Sequence, residues 1–213
     1  MPIYQLPPQL WFPHPDEAEP DGLLAVGGDL SVDRLLLAYK SGIFPWFDED
    51  SPILWWSPDP RFVLFPNELK ISQSMKSVIK KNIFEIRYNT AFEMVICNCG
   101  ATARKGQDGT WITDEMKNAY IELHRLGYAI SVEAWKDKIL VGGLYGVRLG
   151  NVFFGESMFS HASNASKAAF ISFVQKEKDL QIIDCQVHTA HLESLGARFI
   201  DRVDFLNFVN AIK

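Results

Sequence analysis

Two periods run through the apolar positions of this chain, one helical and one of strand type, and they divide it into elements. Helical spacing puts Met75, Val78 and Ile79 on one face of a helix over 72–81, with Lys76, Lys80 and Lys81 elsewhere on it. Met116, Tyr120 and Leu123 repeat in the same way behind Thr113 as cap, up to Gly127. Further helices are predicted over 32–40 (between Ser31 and Gly42), 91–99, 163–178 and 189–195, with a terminal one capped by Asp204. Strand patterns cover 84–88, 128–135, 139–148 and 152–159, the last two joined by a tight turn at Gly150-Asn151, and another lies around Phe199. The stretch 182–188, Ile-Ile-Asp-Cys-Gln-Val-His, reads as a β-branched strand interrupted by polar residues. Strand alternation sets Asp184 and Gln186 on one face, roughly 7 Å apart, with His188 beyond them. Ile183, Cys185 and Val187 take the other face. The pattern as a whole is α/β (α+β) with a mixed, largely antiparallel sheet.

Upstream the pattern is less regular. Residues 1–20 are rich in proline and read as an arm anchored by Trp11 and Phe12. Gly22, Gly27 and Gly28 bracket a short apolar strand. Residues 43–62 hold three tryptophans and four prolines, which excludes a regular helix and presents the aromatics rigidly. Most of these plug a core, and one or two are free to line an aromatic pocket. The boundary is set at this segment: a small N-terminal domain over 1–62 and a larger domain over 63–213.

Composition narrows the class. A hydrophobic fraction of 47% over 213 residues supplies ample core and excludes disorder. No apolar run approaches the roughly 18 residues of a membrane span, and the first residues lack the regions of a signal peptide, so a cytoplasmic protein without membrane contact is expected. The net charge of −5 argues against non-specific coating of nucleic acid but allows a local basic face. Cys97, Cys99 and Cys185 fit a reducing compartment and read as packing residues. Cys97-x-Cys99 is too tight for the usual zinc pattern, and no metal is expected.

The candidate chemistry lies on two strands. Glu156 sits between Gly155 and Ser157 inside an apolar run, and Gly155 there suggests a bulge or a close approach by a ligand. An acid in such a place needs a cation or hydrogen bonds, and no basic residue is near in sequence. Asp184 alone is equally well read as part of a buried structural network. If Glu156, Asp184 and Gln186 converge at one end of the sheet, they can recognise a cationic substrate or assist a proton transfer.

A set of motifs then stands out in order along the chain. They are Gly22-Leu23-Leu24-Ala25-x-Gly27-Gly28-Asp29-Leu30-Ser31, Gly42-Ile43-Phe44-Pro45-Trp46-Phe47 and Leu54-Trp55-Trp56-Ser57-Pro58-Asp59-Pro60-Arg61. There follow Gly109-Thr110-Trp111-Ile112-Thr113, Val141-Gly142-Gly143-x-Tyr145-Gly146, Gly155-Glu156-Ser157-Met158-Phe159-Ser160, Asn164-Ala165-Ser166-Lys167 and Asp184-Cys185-Gln186-Val187. Together they closely resemble the bacterial leucyl/phenylalanyl-tRNA–protein transferases. The resemblance implies a C-terminal domain of acetyltransferase-like (GNAT-type) fold. It implies transfer of Leu or Phe, less readily Met, from Leu-tRNA or Phe-tRNA to proteins with N-terminal Arg or Lys, creating a degradation signal. Carried over by motif, Asp184 and Gln186 are the catalytic pair and Glu156 contacts the acceptor's first residue. Trp46 and Trp111 contact the aminoacyl-adenosine end, and Leu144, Phe170 and Phe173 form the aminoacyl side-chain pocket. For tRNA itself, Lys76, Lys80 and Lys81 are the best basic candidates, a solvated helix face being the alternative for each. No cofactor is expected, because converting an ester to an amide is downhill; a monomer is expected as well.

Rival readings have their own signatures. A coenzyme A-dependent acetyltransferase should carry a [QR]-x-x-G-x-[GA] pyrophosphate loop, and none is found. A non-catalytic binding module would keep the pocket and lose the Asp–Gln pair, which is present. A thiol nucleophile at Cys185 would need that side chain on the cleft face, opposite to where alternation sends it.

Overall fold

A computed structural model describes residues 3–102 and 112–212 of the chain. The first part builds a small sheet from β1 (Tyr4–Leu6), β2 (Leu23–Gly27), β3 (Phe44–Pro45) and β4 (Leu54–Trp56), with α1 (Val32–Lys40) between β2 and β3. Their order is β1-β2-β4-β3. The proline-rich arm is thus not wholly irregular, because β1 pairs in parallel with β2. Phe12 anchors the arm against Trp55, at 4.8 Å between ring centroids, while Trp11 stays largely exposed beside Tyr4. Ser31 caps α1 as expected, its hydroxyl accepting from the Arg34 N–H.

The larger sheet begins with β5 (Arg61–Leu64), which straddles position 62. It continues through β6 (Glu85–Tyr88), β7 (Ala129–Lys136), β8 (Ile139–Leu149), β9 (Val152–Ser160), β10 (Ile182–Gln186) and β11 (Arg198–Ile200). The helices are α2 (Gln73–Lys80), α3 (Phe92–Ala101), α4 (Asp114–Arg125), α5 (Ala165–Lys176), the short α6 (Ala190–Glu193) and α7 (Arg202–Asn210). Strand order is β11-β5-β10-β9-β8-β7-β6. Every pair in it is antiparallel except β9 with β10, so the mixed, largely antiparallel α/β fold read from the pattern is the one observed. The terminal helix differs at its start: Asp201 occupies the cap position and Asp204 lies in the first turn.

Alternation along the central strands sorts their side chains into two cores. Val63, Tyr145, Phe154 and Ile182 join α1, α3, α4 and α7 residues on one side. Phe62, Leu64, Leu144, Phe153 and Ile183 join α5 on the other. Strands buried on both faces read as apolar runs rather than as clean alternation. A polar residue on such a strand is therefore tied down or used. Glu133 is of the first kind. Its carboxylate accepts from the Ser131 hydroxyl at 2.6 Å, the Thr90 hydroxyl at 2.7 Å and the backbone N–H groups of Thr90 and Ala91, which starts α3 from the sheet.

Candidate active site

The second kind of polar residue lies where β9 and β10 part. Their parallel pairing ends at Asp184 opposite Phe154, and both strands carry a bulge just beyond it. Against β8, Tyr145 faces Ser157 and Gly146 faces Gly155, which leaves Glu156 as the unmatched residue. Against β5, Val63 faces Asp184 and Phe62 faces Gln186, which leaves Cys185 unmatched. Such bulges re-aim side chains and end pairing. Only glycine fits at position 146, because an added Cβ would lie 2.2 Å from the Phe154 carbonyl oxygen.

Between the two strands opens a cavity of about 510 Å³, within the range of small-ligand sites. Leu144, Phe153, Met158 and Phe170 give it an apolar wall, and Glu156, Asp184 and Gln186 give it a polar one. The convergence expected of these three residues is present in the structure.

Asp184 is fully buried and held by a cation. Arg61 donates to it twice, from Nε to Oδ1 at 2.8 Å and from Nη2 to Oδ2 at 2.7 Å. The rings of Phe44 and Phe205 each lie 4.7 Å from the guanidinium carbon, so the whole pair is desolvated. Oδ1 also accepts the backbone N–H of Gln186 at 2.9 Å. That bond pins Gln186 at φ 61°, in the left-handed region, and turns its side chain so that Nε2 donates to Glu156 Oε1 at 3.0 Å. The structure thus links Arg61, Asp184, Gln186 and Glu156 in series.

Glu156 has no cation of its own among the described residues. Tyr39 donates to its Oε1 at 2.7 Å and Tyr120 to its Oε2 at 2.9 Å. Burial pushes this carboxyl up to about 7, against the pull of the three donors and with help from the Asp184 charge. Both phenols are raised well above their usual value, by burial first and then by the Glu156 charge.

The alternation expected past Asp184 fails at the left-handed Gln186, where the strand ends. Cys185 consequently borders the cavity rather than lying wholly behind it. Its thiol is buried and donates to the Ile183 carbonyl, and burial together with the Asp184 charge pushes it far up. A thiolate nucleophile is excluded on that chemistry rather than on facing. His188 does not line the cavity. It packs on Phe62 and Phe199 and contacts Glu193 at 3.1 Å.

Comparison with known proteins decides the family. Residues 63–210 match the family model described as leucyl/phenylalanyl-tRNA protein transferase, and residues 28–59 match the model of its N-terminal domain. A leucyl/phenylalanyl-tRNA–protein transferase of Flavobacterium johnsoniae is 56% identical over 211 residues, covering 98% of this chain and all of that protein. One from Anaeromyxobacter sp. (strain Fw109-5) is 57% identical over 208 residues, covering 97% of this chain and 88% of that protein. The chain belongs to the leucyl/phenylalanyl-tRNA–protein transferase family.

It is accordingly an aminoacyltransferase. A solved GCN5-related N-acetyltransferase from Kribbella flavida overlaps at a TM-score of 0.37 and 9% identity, over 77% of this chain and 59% of that one, too distant for anything to rest on it. Of the residues the family resemblance assigns to the transferase's donor, Trp46, Leu144 and Phe170 line the cavity. Phe173 does not: it is buried behind Phe153, at 4.5 Å between centroids. Trp111 lies outside the described residues. Lys76 and Lys80 are exposed on α2 and Lys81 at its end, away from the cavity wall. Cys97 is exposed rather than a packing residue. Among the described residues no cluster of His, Cys, Asp or Glu could hold a metal ion, and no helix is long and apolar enough to cross a membrane.

Three residues of the site escape a reading by pattern: Arg61, Tyr39 and Tyr120. Tyr120 is visible in sequence only as an apolar-face residue of α4, as is Tyr39 in α1. The available signal is that a phenol on a core face needs a partner for its hydroxyl, and an arginine opening an apolar strand needs an acid.

Proposed function

We propose that this enzyme moves Leu or Phe, and less readily Met, from aminoacyl-tRNA to the N-terminal Arg or Lys of proteins, creating a degradation signal. The observation that carries the reading is the cavity, apolar along Leu144, Phe153, Met158 and Phe170 and closed on its other side by Glu156 and Gln186. The apolar wall takes the donor's side chain, with Trp46 and Trp111 toward the terminal adenosine. Glu156 takes the charged side chain of the acceptor. The acceptor α-amine is partly neutral already at neutral pH, since such groups titrate at about 7.7–8.0, so it needs orientation more than a strong base.

In this reading Asp184 and Gln186 remain the catalytic pair, with roles divided by their contacts. Both Asp184 oxygens are taken by Arg61 and the Gln186 N–H, which makes Asp184 the group that positions Gln186. Gln186 is left to orient the amine or donate to the developing oxyanion. Lys76, Lys80 and Lys81 contact the tRNA backbone. The enzyme works as a cytoplasmic monomer, with its small N-terminal domain ending near residue 62 and its catalytic domain over 63–213.

The test is incubation with labelled Leu-tRNA and an Arg-starting peptide. A new Leu–Arg peptide bond is expected, with no transfer from acetyl-coenzyme A. Labelled peptide failing to form in the presence of both substrates would overturn the reading.

A further inference from the structure

The Glu156 carboxyl and two phenols form a closed ring. Tyr39 contacts Glu156, Tyr120 contacts Glu156, and the two phenols contact each other. Each of the three contacts needs one proton between its oxygens, and the two phenols bring only two. With an ionised carboxyl the ring is one proton short, and one pair of oxygens meets with nothing between them. A proton on Glu156 completes it. The remaining donor, Gln186 Nε2, is neutral.

Among the described residues, the charged and titratable groups that face the ring supply no positive charge. Asp184 on β10 is an acid, and its counter-cation Arg61 is turned to it by both hydrogen bonds. Tyr145 on β8 packs edge-on against Tyr120, and the Cys185 thiol is neutral. Tyr39 and Tyr120 come from α1 and α4. Yet Glu156 lines the cavity, so a cation entering with a ligand can reach it.

We propose that the empty site keeps a proton on Glu156 within the Tyr39–Tyr120 ring, and that the cationic first side chain of the acceptor displaces it. The inference rests on the acceptor reading above and adds its currency: the ring carries one positive charge at a time, either a proton or a guanidinium or ammonium group. Tyr39 and Tyr120 thereby join Glu156 as specificity residues. A permanent cation replaces the proton without leaving a buried charge unpaired. An uncharged side chain leaves the proton in place and gains nothing. Burial lifts Glu156 to about 7, so the exchange operates near neutrality.

The test is the ratio of kcat/KM for Arg-starting over Ala-starting peptides, measured from pH 5.5 to 8.5. The ratio cancels titration of the α-amine, which both peptides share. It is expected to rise about tenfold per pH unit below 7 and to level off above, as for one proton released. Tyr39→Phe opens the ring and leaves one phenol proton for the one remaining contact, so the carboxylate is no longer a proton short. The midpoint should move downward while the preference for Arg survives at high pH, and an upward move would overturn the ring as the holder of the proton. Tyr120→Phe should do the same, should either variant fold poorly. Calorimetric titration with the Arg-starting peptide in two buffers of different ionisation enthalpy should report release of about one proton at pH 6. A ratio that favours Arg but stays flat with pH would overturn the proton exchange and leave the acceptor reading standing. A ratio near one at every pH would overturn both.

Discussion

A carboxyl raised by burial weakens the fold as it ionises, and Glu156→Gln makes that cost measurable. In the unfolded chain Glu156 titrates at its ordinary 4.5, and in the folded protein at about 7. Between these values the folded state binds the extra proton, so stability falls as pH rises. The contribution is fully present below 4.5 and lost once pH has passed through 7. Raising a carboxyl that far corresponds to about 3 kcal/mol, of which about 2–3 kcal/mol falls between pH 5 and 8.5. Gln keeps the shape and removes the titration. Urea unfolding of wild type and Glu156→Gln across that range gives two curves whose difference isolates the group, because other shared titrations cancel. The variant is expected to gain on the wild type by about 2–3 kcal/mol toward alkaline pH, or about 1 M in the urea midpoint at typical slopes. Curves that run parallel from pH 5 to 8.5 would refute the argument, since Glu156 would then titrate alike in both states.

Other consequences are open to measurement. Asp184→Asn leaves the buried Arg61 guanidinium without its counter-charge, and should cost about 3–5 kcal/mol in unfolding and slow transfer more than it weakens aminoacyl-tRNA binding. Adding Arg61→Met should recover much of the stability but not the transfer rate, and wild-type turnover in a folded Asp184→Asn variant would remove Asp184 from the mechanism. Gly146→Ala forces a methyl against the Phe154 carbonyl and the Phe153 ring, for a loss of about 1–3 kcal/mol, and thermal unfolding should move down by about 3–10 °C. Cys185→Ala should retain transfer within a few-fold in the labelled-peptide assay, and a loss beyond tenfold would give the thiol a role that its buried, raised state does not support.

The strands β7 to β9 were legible as apolar runs with a tight turn between the last two, where Gly150 stands at φ 55°. The helices α2 and α4 were legible from the helical spacing of their apolar faces, and Thr113, read as the cap of α4, does accept from the Met116 N–H. Residues 4–6 were not, since two neighbouring prolines mask a strand that exists only because β2 offers it an edge. Alternation located Asp184 and Gln186 together but misplaced His188, as a single left-handed residue ends the strand. Periodicity carries no trace of such a turn in a residue that is neither Gly nor Asn. Contacts across long separations were invisible for a different reason. Arg61 meets Asp184 across 123 positions and Tyr39 meets Glu156 across 117, and a local pattern records that a polar group is buried without recording its partner.

The site turns on two buried acids at the end of one strand pairing, given opposite environments. Asp184 receives a guanidinium in a two-pronged grip, flanked by aromatic rings, and its charge is balanced whether or not a substrate is present. Among the described residues Glu156 receives only neutral donors, which satisfy its oxygens without balancing its charge. An arginine beside Glu156 would make the fold more stable and would occupy the place that the proposed acceptor cation needs. Leaving that cation out makes the fold less stable, and the missing charge is then available to be supplied by a substrate. Carboxyls driven apart by their surroundings take different tasks. Here the balanced one fixes geometry through the Gln186 N–H, and the unbalanced one waits for a charge. Gln186 joins them, with its backbone on Asp184 and its side chain on Glu156, so under the proposed function a charge arriving at Glu156 would be felt at the residue proposed to orient the amine.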